Sequence, residues 1–315
     1  MLYLTDDDIG KLVSIGEAVE SLRLVFRQAD RRTAHFAPRT RVNASSGLLD
    51  TMGAVSDEWG LAAVKSYFIS RGRINFFLTL YAAGAEEPVA IMQAKKLGQL
   101  RTGAASALAT DILASRDAGT MGCIGTGYQA ETQVDGVMAV RHIERILVHS
   151  RSPSHMRKFV DGIRKRHDVR VIELGTVSSE FSEAEVISCA TNSTVPVLET
   201  GVPGERCHIN AIGGYRPDMV EIGPDLVSSC VTIATDLKEQ AMKESGELIS
   251  AVSSGEVKWT DITEMTDLVA GRMHKRKNAS SKRTLFKSLG VSVEDLAAAK
   301  LAYDAAISLG VGRDM

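Results

Sequence analysis

The strongest indication of the fold is the sequence Met121-Gly-Cys-Ile-Gly-Thr-Gly-Tyr-Gln-Ala130. It joins a short apolar run to a helix-like segment through glycines. Gly125, Gly127 and Ala130 match the G-x-G-x-x-G/A pattern of dinucleotide-binding loops. Gly125 permits the tight turn, Gly127 lets the backbone approach a pyrophosphate, and Ala130 allows close helix–strand packing. The helix that follows offers unpaired N–H groups and a positive dipole to phosphates. We therefore predict a dinucleotide site with the loop residues Gly125, Thr126, Gly127, Tyr128, Gln129 and Ala130.

From Thr120 onward, short apolar runs alternate with segments of helical length. This alternation is typical of a parallel sheet with helices on both faces, and it predicts an α/β fold. The expected strands are 121–124, 145–149, 169–172, 186–190, 208–212 and 231–235, with a last strand at 284–286.

The first third of the chain mixes both element types. Apolar residues recur at helical spacing over 15–29, and a second helix, rich in Ala and Leu, is expected over 98–115. Extended segments bounded by turn residues lie at 39–43, 47–52, 60–69 and 76–82. A final helix is expected over 293–309.

The end of the strand after the glycine loop selects the dinucleotide. NAD-specific sites usually place an Asp or Glu there, about 20 residues on, to bind the ribose 2′-hydroxyl. Here the strand ends Leu147-Val-His-Ser-Arg-Ser152, without an acidic residue. The hydroxyl of Ser150 and the guanidinium of Arg151 suit a 2′-phosphate, since Arg binds phosphate through paired hydrogen bonds. This favours NADP(H); if Arg151 is only a solvated loop residue, the site accepts NAD(H) as well.

Arg101 occupies an unusual position in Gln99-Leu-Arg-Thr-Gly-Ala-Ala-Ser106. We expect it in the first turn of the second helix, where the helix dipole disfavours a cation by about 0.3–1 kcal/mol. The position suggests an anionic partner such as a substrate carboxylate. A surface Arg whose stem lies along the helix is the alternative.

Lys65 lies inside the apolar run Leu61-Ala-Ala-Val-Lys-Ser-Tyr-Phe68. Burial of an unpaired ammonium is expensive, so this Lys is paired, functional or exposed on an edge strand, and the residues alone favour the exposed edge. A desolvated Lys has a lowered pKa, which suits proton transfer near neutral pH.

Arg39 and Arg41 lie two residues apart in an extended segment, so their side chains point to the same face. The two arginines either clamp a carboxylate there or are solvated.

The composition limits the classes of function. The chain has 315 residues, a formal net charge of -2 and 5% aromatic residues. A nucleic-acid-binding surface needs a basic excess and stacking rings, so we expect a small-molecule partner and no nucleic acid. At about 150 residues per domain, the length predicts two domains.

The sequence carries no pattern of a metal site, a disulfide framework or a membrane segment. Cys123, Cys189, Cys207 and Cys230 form no C-x-x-C pair, so we expect buried free thiols. The seven His residues show no H-x-x-x-H spacing, and we predict no metal. The N-terminus lacks a signal-peptide pattern and no apolar run reaches about 18 residues, so we expect a cytoplasmic protein without a membrane partner.

Taken together, the motifs resemble the ornithine cyclodeaminase/mu-crystallin family over almost the whole chain. The resemblance implies a Rossmann dinucleotide-binding domain at 116–290, inserted into an α+β substrate-binding and dimerisation domain of 1–115 and 291–315, and a homodimer. Besides the Arg41 region, Lys65 and the glycine loop, the matching segments are Leu100-Arg-Thr-Gly-Ala-Ala-Ser-Ala107, His208-Ile-Asn-Ala-Ile-Gly-Gly-Tyr-Arg-Pro-Asp218, Asp267-Leu-Val-Ala-Gly-Arg272, Thr284-Leu-Phe-Lys-Ser-Leu-Gly290 and Val293-Glu-Asp-Leu-Ala-Ala-Ala299.

The resemblance also implies roles for individual residues. Arg41 and Arg101 would hold the substrate carboxylate, and Lys65 would face the reacting carbon and its nitrogen. Two further segments would lie near the nicotinamide, namely Thr191-Asn192-Ser193 and Ser288-Leu289-Gly290.

Two departures from the family pattern bear on the reaction. Ornithine cyclodeaminases have an Asp directly after the Gly-Gly pair, where this chain has Tyr215, as in the reductase-like branch. They also carry a Glu two residues before Met-Pro, where this chain has Asp50 before Met52-Gly53. We therefore expect an NAD(P)-dependent oxidoreductase of amino-acid metabolism that reduces a 2-imino acid or cyclic ketimine carboxylate to an L-amino acid, or the reverse. An ornithine cyclodeaminase and a non-catalytic NADPH-dependent ligand-binding protein are the alternatives.

Overall fold

The structure is a computed structural model that describes residues 1–315, and it divides into two compact units. The first unit comprises Met1–Ala105 and Gly290–Met315, and the second comprises Ser106–Leu289. The second unit therefore interrupts the chain of the first. The predicted domain boundary at 115 lies after a long helix, whereas the division at Ala105 falls inside that helix.

The first unit contains an eight-stranded sheet and four helices or parts of helices. Its strands are β1 (Leu2–Leu4), β2 (Ala34–Phe36), β3 (Thr40–Ala44), β4 (Gly47–Ser56), β5 (Leu61–Ser70), β6 (Arg73–Ala82), β7 (Ala90–Gln93) and the last strand of the chain, β16 (Arg313–Asp314). Its helices are α1 (Asp6–Leu12), α2 (Ile15–Asp30), the start of α3 (Lys95–Leu113) and the last helix of the chain, α10 (Ser292–Leu309).

The sheet of the first unit is covered by helices on one face. Its strand order is β16-β1-β7-β6-β5-β4-β2, with β3 paired to β4, and β4 to β7 are antiparallel neighbours. Burial alternates along β5, so that Leu61, Ala63, Lys65 and Tyr67 face inward while their neighbours face outward. Helix α10 packs against β4, β5 and α2 on the inward face. This packing brings residues from the two ends of the chain around Lys65.

The second unit is built on a parallel sheet. Its strands are β8 (Thr120–Ile124), β9 (Arg145–His149), β10 (Arg170–Leu174), β11 (Val186–Cys189), β12 (His208–Ala211), β13 (Thr232–Thr235), β14 (Ile262–Glu264) and β15 (Thr284–Lys287). Its helices are α4 (Tyr128–Val140), α5 (Pro153–Arg166), α6 (Pro224–Ser229), α7 (Lys238–Glu244), α8 (Gly246–Ser253) and α9 (Met265–Val269), with short 3-10 turns at Ser179–Glu183 and Trp259–Asp261.

The strand order of this sheet fixes where a ligand binds. The order is β10-β9-β8-β11-β12-β15-β13-β14, and every neighbouring pair is parallel. The chain runs outward from β8 to β10 and then returns to the other side of β8 at β11. Ligands of such doubly wound sheets bind at the carboxyl ends of the strands, where the order switches direction.

Both faces of the parallel sheet are buried. Met121 and Cys123 belong to one apolar cluster and Ile124 to another, because successive side chains of a strand point to opposite faces. All four cysteines are buried free thiols, which confirms that prediction. Burial raises the pKa of Cys123 to about 12, so this thiol stays protonated at neutral pH.

The predicted α/β fold is confirmed. Every strand predicted in the second unit is present within one or two residues of its predicted ends, and the strand at 145–149 coincides with β9. The sequence patterns did not predict β7 or β14, since runs of four and three residues are too short for alternation to stand out.

Candidate active site

The glycine loop lies between β8 and α4 of the second unit. Gly125 has a φ of 97°, and a Cβ there would lie 2.4 Å from the carbonyl oxygen of Ala190, so only glycine fits. A Cβ at Gly127 would meet nothing within 4 Å. Gly127 is the N-cap of α4 and no side chain caps the helix. The open space and the uncapped N–H groups together fit an approaching phosphate.

Ser150 and Arg151 follow β9 on the same side of the sheet as the glycine loop. Ile124 and His149 are paired at the ends of β8 and β9, and the Gly125 N–H donates to the His149 carbonyl at 2.9 Å. Ser150 is half-buried and Arg151 is exposed. The Ser152 N–H donates to the Ser150 hydroxyl at 3.4 Å. The guanidinium of Arg151 is thus accessible to a ligand at this edge.

A buried carboxylate ties together two loops at this edge. Glu221 is fully buried, and its two oxygens accept the N–H of Thr191 at 2.5 Å and the N–H of Gly213 at 2.6 Å. Its own N–H donates to Glu247, which is ion-paired with buried Lys287 at 3.2 Å. Burial raises the pKa of Glu221, while Lys287 and the N–H donors oppose that rise. The Thr191-Asn192-Ser193 turn therefore has a rigid support.

Gly213 must be glycine because of this close approach. A Cβ at Gly213 would lie 1.8 Å from the carbonyl oxygen of Thr191 and 2.6 Å from Glu221 Oε1. The loop after β15 is held in a similar manner, since Asp236 accepts the N–H of Leu289 at 2.5 Å and the hydroxyl of Ser288 at 3.3 Å. Thr191 and Ser288 thus both lie just past the carboxyl ends of strands of the parallel sheet, and each loop is anchored by a buried acid.

Lys65 belongs to a cluster of polar side chains in the first unit, together with Asp295 and Arg101. It is 3% exposed on β5, with β4 and β6 on either side, so the predicted exposed edge position is wrong. Its Nζ donates to Asp295 Oδ1 at 2.8 Å and lies 5.7 Å from the centroid of the Phe76 ring. Burial, assisted by Arg101 and Arg39, lowers the pKa of Lys65 to about 8, while Asp295 opposes the decrease. The Lys65 amine can therefore gain or lose a proton near neutral pH.

Arg101 binds two carboxylates of α10. Its Nη1 donates to Glu294 at 2.9 Å and its Nε donates to Asp295 Oδ1 at 3.1 Å. The predicted place of Arg101 in the first turn is wrong, because α3 begins at Lys95 and Arg101 lies beyond its first turn. Two carboxylates therefore stabilise the positive charge of Arg101, and the helix dipole has little effect on it.

Gly290 lies against Arg101. Its φ is 74°, and a Cβ there would lie 2.1 Å from Arg101 Nη1, so a side chain would displace the guanidinium. The structure thus gives Gly290 a role in shaping the site of Arg101. The family resemblance implies for Gly290 only a place near the nicotinamide.

Arg41 is oriented by a second buried acid. Its Nε and Nη2 each donate at 2.9 Å to one oxygen of Asp50, which is fully buried on β4. Tyr67 also hydrogen-bonds Asp50, and burial raises the pKa of Tyr67 well above its usual value. Arg39 acts electrostatically on both Lys65 and Tyr67. The sequence assigns catalysis or carboxylate binding to Lys65, Arg41 and Arg101. All three therefore lie among polar side chains of the first unit that are linked through Asp295, Asp50 and Arg39.

The sequence did not predict the burial or the contacts of four acids of the site, namely Glu221, Asp236, Glu294 and Asp295. Glu294 and Asp295 lie in the first turn of α10, where acids usually face solvent and stabilise the helix dipole. The one signal of their burial is that Leu296 and three Ala residues follow at once. The cations that these acids neutralise are distant in sequence, so no local pattern reveals the pairing.

Comparison with known proteins places these features in a family. The family described as ornithine cyclodeaminase/mu-crystallin matches residues 2–309. A Delta(1)-pyrroline-2-carboxylate reductase of Bacillus cereus is 32% identical over 326 aligned positions, covering 99% of this chain and 98% of the relative. This chain belongs to the ornithine cyclodeaminase/mu-crystallin family.

Solved structures of family members share the fold of this chain. Thermococcus litoralis Delta(1)-pyrroline-2-carboxylate reductase, in complex with NADH and L-proline, has a TM-score of 0.92 and 30% identity, with 100% of both chains covered. An archaeal alanine dehydrogenase dimer with bound NAD has a TM-score of 0.91 and 28% identity, with 100% of this chain and 98% of that chain covered. The family resemblance inferred from the motifs is therefore confirmed.

Two further structural findings concern metals and membranes. No group of three or more His, Cys, Asp or Glu side chains is arranged to hold a metal ion. None of the helices combines the length and apolar character needed to span a bilayer.

Proposed function

We propose that this member of the ornithine cyclodeaminase/mu-crystallin family reduces the C=N bond of a 2-imino acid or cyclic ketimine carboxylate to an L-amino acid, and catalyses the reverse oxidation. The observation that carries the proposal is the buried Lys65–Asp295 pair, with Arg101 bound to the same carboxylate. It combines a proton donor titrating near pH 8 with a cation beside it. Imine reduction needs these two groups, one for the nitrogen and one for the carboxylate.

Two arginines of the first unit suit a substrate with one carboxylate. Each is held by acids of the protein, Arg101 by Glu294 and Asp295 and Arg41 by Asp50. The planar guanidinium of Arg matches the geometry of a carboxylate and binds it through paired hydrogen bonds. We assign Arg101 and Arg41 to that carboxylate, in orientations fixed by their own acid partners.

Lys65 supplies the proton of the proposed reaction. One Nζ–H bond of Lys65 breaks and its proton passes to the imine nitrogen, where the π electron pair of the C=N bond forms the new N–H bond as the carbon gains hydride. Lys65 is left neutral and recovers a proton from solvent. In the oxidative direction neutral Lys65 takes a proton from the amine nitrogen. A pKa of about 8 allows both directions near neutral pH.

The second unit fits a nicotinamide dinucleotide, which supplies the hydride when bound. Residues 125–130 would hold the pyrophosphate, as the open space at Gly127 and the uncapped start of α4 suggest. Thr191-Asn192-Ser193 and Ser288-Leu289-Gly290 would line the nicotinamide. Ser150 and Arg151 would bind a ribose 2′-phosphate, which favours NADP(H) over NAD(H).

The relatives support the reaction class. One is a Delta(1)-pyrroline-2-carboxylate reductase, which has been solved in complex with NADH and L-proline, and another is an alanine dehydrogenase with bound NAD. Tyr215, instead of the Asp of ornithine cyclodeaminases, argues against ammonia release from ornithine. We also propose a homodimer in the cytoplasm, since four free thiols are typical of reducing compartments.

A substrate panel tests the proposal. We would offer Δ1-pyrroline-2-carboxylate, Δ1-piperideine-2-carboxylate, and pyruvate or oxaloacetate with ammonium, each with NADPH and with NADH. We expect stoichiometric loss of reduced nicotinamide with at least one imine, and a loss of activity of about 10²–10⁴-fold in Lys65→Met. Ammonia release from ornithine without net cofactor change would instead assign the cyclodeaminase reaction.

A further inference from the structure

Asp295 differs from the other acids of the first unit in what it binds. It is fully buried in the first turn of α10, and its Oδ1 accepts both Lys65 Nζ at 2.8 Å and Arg101 Nε at 3.1 Å. Its other oxygen, Oδ2, is buried and has no hydrogen-bond partner within the protein. A buried acceptor without a donor is unfavourable, because it has lost its hydrogen bonds to water. This carboxylate therefore joins the two cations through one oxygen, while its other oxygen is left without a donor.

We infer that Asp295 is the positioning residue for proton transfer: it keeps Lys65 protonated, fixes the direction of its Nζ, and couples it to the carboxylate-binding Arg101. The inference rests on the proposed function, because it names the residue that prepares Lys65 for the reaction. Asp295 itself gains and loses no proton in the cycle.

The surroundings of Lys65 leave this task to Asp295. From α3, Arg101 acts on Lys65, and Arg39 acts from the segment before β3, and both disfavour its charged form. From β6 the Phe76 ring contributes a weaker attraction at 5.7 Å. Asp295, from α10, is the one carboxylate that hydrogen-bonds Lys65 Nζ.

The electrostatics of Asp295 agree with a permanent negative charge. Burial acts to raise the pKa of Asp295, but Arg101 and Lys65 outweigh burial and hold that pKa below its usual value. Asp295 stays ionised while Lys65 titrates, so the carboxylate can stabilise the protonated lysine throughout the working pH range.

The test is Asp295→Asn, which keeps the size of the side chain and removes its charge. We expect the titration midpoint of Lys65 to fall by about 1–3 pH units. The midpoint is read from the ¹³Cε shift in lysine-labelled protein, assigned by its loss in Lys65→Arg, without substrate. With the imine turned over best in the panel, the reductive kcat/KM should fall about 5- to 50-fold at pH 8 for a shift of one to two units.

The pH profiles separate this role from a structural one. In the reductive direction the decrease of kcat/KM at high pH should move to lower pH, and in the oxidative direction the rise should move to lower pH by the same amount. A loosened fold would lower both rates without moving either midpoint. Asp295→Glu, which restores the charge, should restore the midpoint, and it keeps the test valid if Asp295→Asn does not fold.

Glu294→Gln is the matched control, since Glu294 is the neighbouring buried acid and binds Arg101 Nη1 but not Lys65. We expect it to raise the KM for the imine while the midpoint of Lys65 stays in place. An unchanged Lys65 midpoint in Asp295→Asn, or an equal shift in Glu294→Gln, would overturn the inference. A shifted midpoint in a protein that reduces no imine would count against the proposed function alone.

Discussion

Each of three cations of the first unit has a buried carboxylate partner that fixes its position. Lys65 binds Asp295, Arg101 binds Glu294 and Asp295, and Arg41 binds Asp50 through two parallel hydrogen bonds. Removing one partner of a buried pair costs about 3–5 kcal/mol, because an unpaired charge remains. The pairs therefore hold these three cations in place before any substrate binds.

The proposed contact of Arg151 with a ribose 2′-phosphate would distinguish the two dinucleotides. Arg151→Ala removes the exposed guanidinium beside Ser150. We expect the KM for NADPH to rise about tenfold or more, as loss of one charge-assisted hydrogen bond predicts, while the KM for NADH changes less than about twofold. Steady-state kinetics with both cofactors measures the ratio. Lys165→Ala, an exposed cation in the last turn of α5, is the control, and an unchanged ratio in Arg151→Ala would show that the site has no 2′-phosphate contact.

At the level of elements, two loops of the second unit depend on one carboxylate. Thr191 follows β11 and Gly213 follows β12, and Glu221 accepts an N–H from each of them. The carboxyl ends of neighbouring parallel strands are thus held at a fixed spacing. A loop without such an anchor would be mobile, and a nicotinamide bound by it would be poorly oriented.

Glu221→Gln tests the support of the Thr191 turn. The amide can accept only one of the two N–H groups and turns a donor toward the other, which costs about 1–3 kcal/mol. We expect the Kd for NADH, measured by calorimetry, to rise at least several-fold. Glu185→Gln is the control, because Glu185 also accepts two backbone N–H groups, from Gly119 and Thr120, but at the amino end of β8. Equal effects of both substitutions on Kd would mean that Glu221 serves stability alone.

Local patterns predicted the elements better than the contacts between them. The glycine loop and β9 could be located from the sequence because turn chemistry and apolar runs are properties of adjacent residues. The burial of Lys65 could not, since it depends on α10, which lies more than two hundred residues later. The sequence predicts that α3 begins at residue 98, which puts Arg101 in its first turn. The helix in fact begins at Lys95, because its first two residues are Lys and carry no helix-start signal.

At the scale of the whole molecule, one sheet face of the first unit remains apolar and exposed. Exposed side chains alternate along β4, β5 and β6 with the buried ones that face α10. This outer face comprises Leu49, Val55, Val64, Phe68, Phe77 and Tyr81, each about 40% exposed. Contiguous apolar patches of this kind are typical of protein interfaces. We propose that the second copy of the proposed homodimer covers it; the related alanine dehydrogenase has been solved as a dimer.

Val64→Glu tests this assignment. The substitution places a charge at the middle of the outer face, and in a symmetric dimer two such charges would meet. We expect wild-type protein to sediment as a dimer and the variant as a monomer in analytical ultracentrifugation. Ile307→Glu changes a residue of α10 that is 60% exposed and lies outside the outer face, and it should remain dimeric. A monomeric wild type, or a dimeric Val64→Glu, would exclude the outer face as the interface.

The proposed reaction depends on hydride transfer to an imine carbon, which can be followed with a deuterium label. The protein would be incubated with Δ1-pyrroline-2-carboxylate or another imine of the panel and with NADPH or NADH carrying two deuterium atoms at C4. We predict an L-amino acid with one deuterium at C2, detected by mass spectrometry, and its formation about 10²–10⁴-fold more slowly with Lys65→Met. An amino acid without deuterium at C2, or unchanged reduced cofactor alongside released ammonia, would contradict it.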